Sequence, residues 1–233
     1  MEKISFEQAN LMFFGNLVYA DMQLTDLSAF LQDVELFIRK THRKLSSKYS
    51  KGLLPLEIEF TIERYEHSLN AILRKSFIIA LVIFLERELG QYCDDFQKHL
   101  NHDIGWKDFR GSMLDRFQFF TKKFLKLNLY FKNKNMWQDL HGIIALRNCL
   151  VHADGALNKF SEAKKIKDFA KRHKSINLQE GYVELSLKAC EDCLMIVKDF
   201  TKVIYDYALT FFPGEYGGQR PSANTAQTAK TKT

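Results

Sequence analysis

Apolar residues recur every three or four positions over most of this chain, which is the spacing that places them on one face of an α-helix. The spacing predicts a first long helical region over 6–49, with a candidate break near Thr25, because Thr25 and Asp26 can cap a new helix. After a polar connection over 46–55, the same spacing predicts a second helix over 56–99. Both helices are far longer than an average helix.

The middle of the second helix, residues 77–85, is apolar at every position. A helix that is apolar on all sides is buried, so this stretch is expected at the centre of a helical bundle. It is much shorter than the roughly 20 apolar residues that cross a bilayer. The amino terminus also lacks the apolar core of a signal peptide. We therefore expect a cytoplasmic protein that does not contact membranes.

Shorter elements alternate with polar breaks in the second half of the chain. Alternating apolar residues on both sides of Gly181 predict a small β-hairpin, and an amphipathic helix follows it. The predicted elements are a polar turn over 101–111, a helix over 112–127, a break at 133–135, a helix from 135 to Gly155, a basic helix or loop over 159–174, a hairpin over 176–185 and a last helix over 186–212.

The composition favours an all-α fold. Hydrophobic residues make up 46% of the 233 residues, and only 3 prolines occur, so few helix breaks are enforced. We expect an all-α helical bundle with long helices and a small β-hairpin inserted before the last helix. The expected division is an N-terminal helical extension over 1–55, a main helical domain over 56–212 and a tail over 213–233. The tail is expected to be disordered because it is mostly Gly, Ser, Thr, Ala, Gln and Lys.

The net charge of +6 permits binding to a polyanion such as RNA but does not require it, because the lysines are spread over the chain. Two local clusters stand on either side of 147–152. We interpret each as a solvated helix face, with nucleic-acid binding left open. The clusters are Lys122, Lys123, Lys126, Lys132 and Lys134, and then Lys159, Lys164, Lys165, Lys167, Lys171, Arg172 and Lys174.

The four cysteines do not predict a disulfide framework or a metal site. They are few and scattered, and Cys190 and Cys193 have metal-like spacing without a second close pair. Cysteines three apart on a helix are more often buried small hydrophobes. We therefore expect no metal and no other cofactor.

Residues 147–152, Arg-Asn-Cys-Leu-Val-His, combine a fixed cation, a hydrogen-bonding amide and an imidazole that can exchange protons near neutral pH. Such a set can hold and cleave a phosphodiester without a metal. At about 100° per residue, Asn148 and His152 share a helix face, whereas Arg147 and His152 are about 140° apart. Either the Arg147 side chain reaches round, or the last turn loosens before Gly155, or Arg147 and His152 converge on a ligand from two chains.

The stretch 146–155, Leu-Arg-Asn-Cys-Leu-Val-His-Ala-Asp-Gly, resembles the signature of the HEPN superfamily. Residues 83–89 resemble the helix that often packs across from that signature with a Glu, here Glu86, facing the site. The overall likeness covers roughly 56–210. It implies an all-α and commonly dimeric protein, in a group with many metal-independent endoribonucleases of bacterial toxin–antitoxin, abortive-infection and other defence systems.

One branch of the superfamily carries a modifiable Tyr two residues after the His. In this chain Asp154 occupies the position of that Tyr. Regulation by modification of the Tyr is therefore in doubt, whereas cleavage is not directly affected.

The resemblance also implies roles for single residues. His152 would be the general base or acid, Arg147 would neutralise the phosphorane oxygens, and Asn148 would orient His152 or hold a phosphate oxygen. Glu86 and Asp154 would lie in the binding site. The partners implied are RNA, a second copy of the chain, and an antitoxin or another defence-system protein. DNA lacks the attacking 2′-hydroxyl and should not be cut.

A structural role for the same residues is the alternative. Arg147 could bind a carboxylate such as Glu86, while His152 satisfies a backbone carbonyl. The protein would then be a non-catalytic HEPN-like binding or scaffold module that engages a partner protein or a nucleotide. Exposure distinguishes the two, because catalytic Arg147 and His152 must be reachable by a phosphate.

Overall fold

The computed structural model describes residues 5–52, 55, 58–127 and 134–212. Within these ranges helices predominate, and one two-stranded antiparallel sheet precedes the last helix. The elements are α1 Phe6–Ser50, α2 Glu59–Glu63, α3 Leu69–Leu100, α4 Met113–Phe124, α5 Lys134–Ala153, α6 Ala163–Arg172, β1 Ile176–Gln179, β2 Tyr182–Leu185 and α7 Leu187–Phe211.

The all-α prediction with a small hairpin before the last helix is confirmed. The second predicted helix is built from α2, a π-helical turn over Arg64–Ser68, and α3. The basic segment over 159–174 contains a helix, α6. The predicted tail over 213–233 lies outside the described residues, as does Asn133 of the predicted break. The division into an extension and a main domain stays a prediction.

The candidate break near Thr25 is wrong, because α1 is one continuous helix. Its start is capped by Ser5, whose hydroxyl accepts a hydrogen bond from the Gln8 amide, while the Gln8 side chain accepts one from the Ser5 amide. The Thr25 hydroxyl donates instead to the carbonyl of Asp21, 2.8 Å away within the helix. A hydroxyl used in this way satisfies a carbonyl of the preceding turn and does not cap a new helix.

The core lies where α1, α3 and α7 pack against one another. Aromatic rings fill one end of it: the rings of Phe13 and Phe212 stack with centroids 5.4 Å apart, and Phe13 also contacts Phe96 at 4.7 Å. The side-chain amide of Asn10 donates to the Phe212 carbonyl at 2.6 Å. This contact satisfies a buried polar group and ties the first helix to the end of the last.

Burial of the apolar run over 77–85 is confirmed on most of its circumference and wrong on one face. Phe77, Ile78, Leu81 and Leu85 are buried, but 59% of Ile83 is exposed. The bundle packs around α3 from several sides and leaves one strip of it open. That strip borders α5 and carries apolar side chains into solvent.

No described helix has the length and apolar content needed to pass through a membrane.

A close approach of α5 to α6 generates a stability prediction. A Cβ at Gly142 would lie 2.5 Å from the Phe169 ring, so Gly142→Ala should lower the free energy of unfolding by about 1–3 kcal/mol through overpacking. At Gly15 on α1 an added Cβ meets nothing within 4 Å. Gly15→Ala should therefore stabilise by about 0.5–1 kcal/mol through helix propensity. Urea unfolding of the two variants measures both changes in the free energy of unfolding. A Gly142→Ala protein as stable as wild type would contradict the close packing of α5 on α6.

Candidate functional site

The carboxyl end of α5 carries the predicted site residues, and its last turn is closed in a defined way. The Gly155 amide donates to the Cys149 carbonyl at 3.1 Å, across the end of the helix. Asp154 and Gly155 both have positive φ, 48° and 86°. This left-handed ending satisfies a terminal carbonyl and turns the chain sharply after Ala153.

The β-hairpin holds this ending in place. The Val183 amide donates to the Gly155 carbonyl at 3.0 Å, and the Leu157 amide donates to the Gly181 carbonyl at 2.8 Å. Val183 and Ile176 are buried, so the hairpin packs one face on the core. The hairpin therefore fixes the end of the helix on which His152 lies.

Arg147 pairs with Glu86 of α3. The guanidinium Nη2 donates to Glu86 Oε1 at 2.5 Å, and the side chains of Arg147 and Glu86 are 20% and 36% exposed. The Nε of Arg147 is buried and has no hydrogen-bond partner within the described residues. One nitrogen of the guanidinium, Nη2, is therefore hydrogen-bonded, while the donor Nε stays unsatisfied at the boundary between α3 and α5.

A second pair links the same two helices. Lys75 of α3 donates to Asp154 Oδ1 at 2.6 Å, and this hydrogen bond lowers the pKa of Asp154 below its usual range. Since Lys75 precedes Glu86 on α3, while Asp154 follows Arg147 directly after the end of α5, the two helices run antiparallel. We call the line of contact between them the α3–α5 seam, defined by Lys75, Glu86, Arg147 and Asp154.

His152 lies on the exposed side of the last turn of α5. Its imidazole makes no hydrogen bond or ion pair with any described residue, and neither does the half-buried amide of Asn148. The helix stays regular to Ala153, so the last turn does not loosen. Arg147 points to Glu86 rather than round to His152. Within one chain, Arg147 and His152 therefore do not meet.

Apolar side chains flank the seam on the exposed side of both helices. Ile83 of α3 is 59% exposed and Val151 of α5 is 47% exposed. Ile83 lies three residues before Glu86, and Val151 lies four residues after Arg147, so each is about one helical turn from its seam residue. Because α3 and α5 are antiparallel, both displacements run in the same direction along the seam, and the two side chains face solvent on the same side. We call this surface the motif face, defined by Ile83, Glu86, Arg147, Asn148, Val151 and His152.

The structure brings together some predicted site residues and separates others. Glu86 and Arg147 are in contact, and Asn148 and His152 share the neighbouring face. Asp154 lies instead at a groove of about 470 Å³ between α3 and the hairpin. The main cation of that groove, Arg74, is already committed to Glu35 and to the Leu185 carbonyl. Asp154 therefore acts at the end of the seam, next to Lys75, which sequence reasoning missed because the two are 79 positions apart.

The cysteines behave as the sequence predicts. All four are buried, and burial raises the pKa of the Cys190 thiol to about 12 and that of Cys193 well above its usual value. Within the described residues, no three His, Cys, Asp or Glu side chains come close enough to hold a metal ion.

No protein-family model matches this chain, and neither a curated protein nor a solved structure matches it. The resemblance to the HEPN superfamily therefore depends on 146–155 and 83–89, and it stays a hypothesis. We infer function from the chemistry of the motif face itself.

The Glu86–Arg147 pair should contribute measurably to stability. A double-mutant cycle with Glu86→Ala and Arg147→Ala should give a coupling energy of about 1 kcal/mol, because the pair is partly buried and charged. The same cycle on Lys75 and Asp154 is the control, and it should give a smaller coupling because Asp154 is exposed. Urea unfolding measures both cycles, and equal couplings would contradict the geometry of the seam.

Proposed function

We propose that this protein is a metal-independent endoribonuclease of a bacterial defence or toxin–antitoxin system, with Arg147 and His152 as its catalytic residues. One observation carries the proposal: a half-buried guanidinium with an unsatisfied Nε and an exposed imidazole with no described partner occupy the last two turns of one helix. Buried polar atoms of structural residues are normally satisfied, so the unpartnered Nε of Arg147 is an exception. The exposed His152 imidazole is open to solvent, and a phosphate would offer acceptor oxygens to it and to the exposed part of the guanidinium.

The reaction needs a base, an acid and charge neutralisation. A 2′-hydroxyl of RNA attacks the adjacent phosphorus while one His152 takes its proton. Arg147 donates charge-assisted hydrogen bonds to the phosphorane oxygens. A second histidine protonates the departing 5′-oxygen, which leaves a 2′,3′-cyclic phosphate and a 5′-hydroxyl. Asn148 shares a helix face with His152 and would orient it or hold a phosphate oxygen.

A homodimer supplies the second histidine. Arg147 and His152 point about 140° apart on one helix, so a single chain presents them poorly to the same phosphate. A two-fold axis through the motif face would bring Arg147 and His152 of both copies around one cleft. The exposed Ile83 and Val151 beside them give such an interface its apolar surface.

Glu86 pairs with Arg147 while no RNA is bound. The pair keeps the guanidinium ordered at the seam before RNA arrives, and a phosphate then offers a second anion to the free side of the same group. Glu86 would therefore position Arg147 without touching the reacting atoms. An antitoxin or another defence protein could restrain the enzyme by covering the motif face.

A non-catalytic binding or scaffold protein is the second candidate, and the same ion pair favours it. If Arg147 serves only to bind Glu86, the motif face is a docking surface for a partner protein or a nucleotide. Arg147→Ala would then cost stability without removing any activity.

Cleavage of a labelled structured RNA in EDTA tests the ribonuclease. Wild type should produce 2′,3′-cyclic phosphate ends. His152→Ala should lower the rate about 10²–10⁴-fold as a general acid–base group, and Arg147→Ala about 10²–10³-fold as a charge-stabilising group. A 2′-deoxy strand of the same sequence should stay intact.

His102→Ala and Arg39→Ala are the matched controls, since both residues are exposed and lie outside the motif face. Both should cut like wild type, and circular dichroism should show all four variants folded. An inert wild type, or folded Arg147→Ala and His152→Ala proteins that cut as well as wild type, would leave the scaffold role in place of the enzyme.

The dimer is tested by placing a charge on the motif face. Ile83→Asp should convert a dimer to a monomer in sedimentation analysis, because the interface would bury an unpaired carboxylate. Ile104→Asp is the control: Ile104 is also an exposed isoleucine, but it lies in the loop after α3. The expected result is that Ile83→Asp loses both dimerisation and cleavage, whereas Ile104→Asp keeps both. If wild type is a monomer, the proposed cleft between two copies does not exist.

A further inference from the structure

The positive charge of the protein is concentrated in two segments. Residues 106–126 and 159–174 together hold thirteen Lys and Arg against four Asp and Glu, a net charge of +9. The whole chain carries only +6, so the remaining residues sum to −3. The two segments include α4 and α6, the helices that lie beside the amino-terminal half of α5. Their charge is thus a local feature and not a property of the entire surface.

The carboxylates near α4 are used for local structure. Asp108 accepts a hydrogen bond from the Gly105 amide at 2.8 Å. Asp115 caps α4, accepting from the Ser112 amide at 3.0 Å and from its hydroxyl at 2.6 Å. Both carboxylates also line the groove beside Phe109 and Phe119, so they offset part of the positive charge there and leave the rest to the lysines.

An exposed aromatic ring lies among these lysines. Phe119 is 52% exposed, and its ring centroid is 4.6 Å from that of Phe109. Lys123 Nζ lies 5.9 Å from the Phe119 centroid and 5.7 Å from the Phe109 centroid. An exposed ring bordered by ammonium groups is the arrangement on which single-stranded nucleic acids stack their bases while the cations hold the phosphates.

Two grooves extend this surface toward α6. One, of about 590 Å³, passes Phe109, Phe119 and Lys122 together with Asp108 and Asp115, and the other, of about 800 Å³, lies between α4, α5 and α6. Gln118 lines both, so the two grooves are adjacent. The larger groove is lined by Gln118, Trp137, Gln138, His141, Lys165, Asp168, Lys171 and Arg172.

The cations of the larger groove have partners, but weak ones. Lys171 is 3.6 Å from Asp168, and Lys165 pairs with Glu162, both as exposed contacts within one helix. Exposed ion pairs contribute little, so phosphates can replace these carboxylates. Arg172 is different: it is held by Asp139 at 2.8 Å and shapes the wall of the groove.

We propose that this α4–α6 surface, defined by Phe109, Phe119, Lys122, Lys123, Lys165 and Lys171, binds single-stranded RNA. A base stacks on Phe119, and the phosphates follow the lysines into the groove beside His141. The choice of RNA rests on the proposed ribonuclease function. The surface is distinct from the motif face, since His141 and Arg147 are about 9 Å apart along α5 and point about 120° away from each other.

Binding can be measured without cleavage by using a fluorescent single-stranded 2′-O-methyl RNA, which has no 2′-hydroxyl to attack. Phe119→Ala should weaken its Kd about fivefold or more, as expected for losing one base stack. Phe30→Ala is the matched control: Phe30 is 58% exposed on α1, away from the basic segments. Its Kd should equal that of wild type. An acidic peptide would need the lysines but not the Phe119 ring, so an unchanged Kd for Phe119→Ala overturns the proposal.

The phosphate contacts are tested by salt dependence. In the double variant Lys122→Ala, Lys171→Ala, the slope of log Kd against log salt should fall by about 1.4, at roughly 0.7 per lost phosphate contact of a single strand. The control is Lys198→Ala, Lys202→Ala, which removes the same charge from a groove beside α1 and should leave the slope unchanged. Equal losses in the two double variants would mean binding by overall charge and would overturn the surface.

The two proposals fail separately. If wild type binds the oligonucleotide through Phe119 and the lysines but cuts no RNA, the ribonuclease fails and the α4–α6 surface stands. If wild type cuts RNA and the Phe119→Ala and lysine variants bind and cut as it does, the surface fails and the ribonuclease stands. Thermal melts by circular dichroism confirm that each variant is folded.

Discussion

Glu86 and Arg147 meet although 61 positions separate them, because antiparallel packing of α3 and α5 brings them to the same height. Most features of the motif face depend on this contact. It turns the guanidinium toward α3 and therefore away from His152. It leaves the apolar strip of α3 beside the open side of α5. The Lys75–Asp154 contact closes the other end of the same seam, where the left-handed turn at Asp154 and Gly155 passes the chain to the hairpin.

The seam also separates parts of the molecule that would otherwise interfere. The residues proposed for proton transfer and charge neutralisation lie on the carboxyl-terminal half of α5, and the basic groove proposed to bind RNA lies along its amino-terminal half. Affinity for a polyanion can thus be supplied at some distance from the reacting phosphate. Arg147, the cation on the same helix as His152, is already paired with a carboxylate.

A resting pair such as Glu86–Arg147 serves both proposed roles of the site. In an enzyme it keeps a flexible side chain ordered, which reduces the entropy lost when a phosphate binds. In a scaffold it is part of the packing of two helices. The buried, unsatisfied Nε of Arg147 and the exposed position of His152 are the observations that support the proposed enzyme.

The helical fold, the hairpin around Gly181 and the helix that ends just before Gly155 could all be predicted from the residues, because they follow from local periodicity and turn chemistry. The sequence also identified Glu86 and Arg147 as possible partners. It failed at Thr25, whose capping chemistry was outweighed by a continuous buried stripe, and at Ile83, whose apolar neighbours predicted burial. The direction of Arg147, the partner of Asp154 and the adjacency of the two grooves at Gln118 could not be predicted in this way. Those depend on which helices become neighbours, and that is set by packing between residues far apart in the chain.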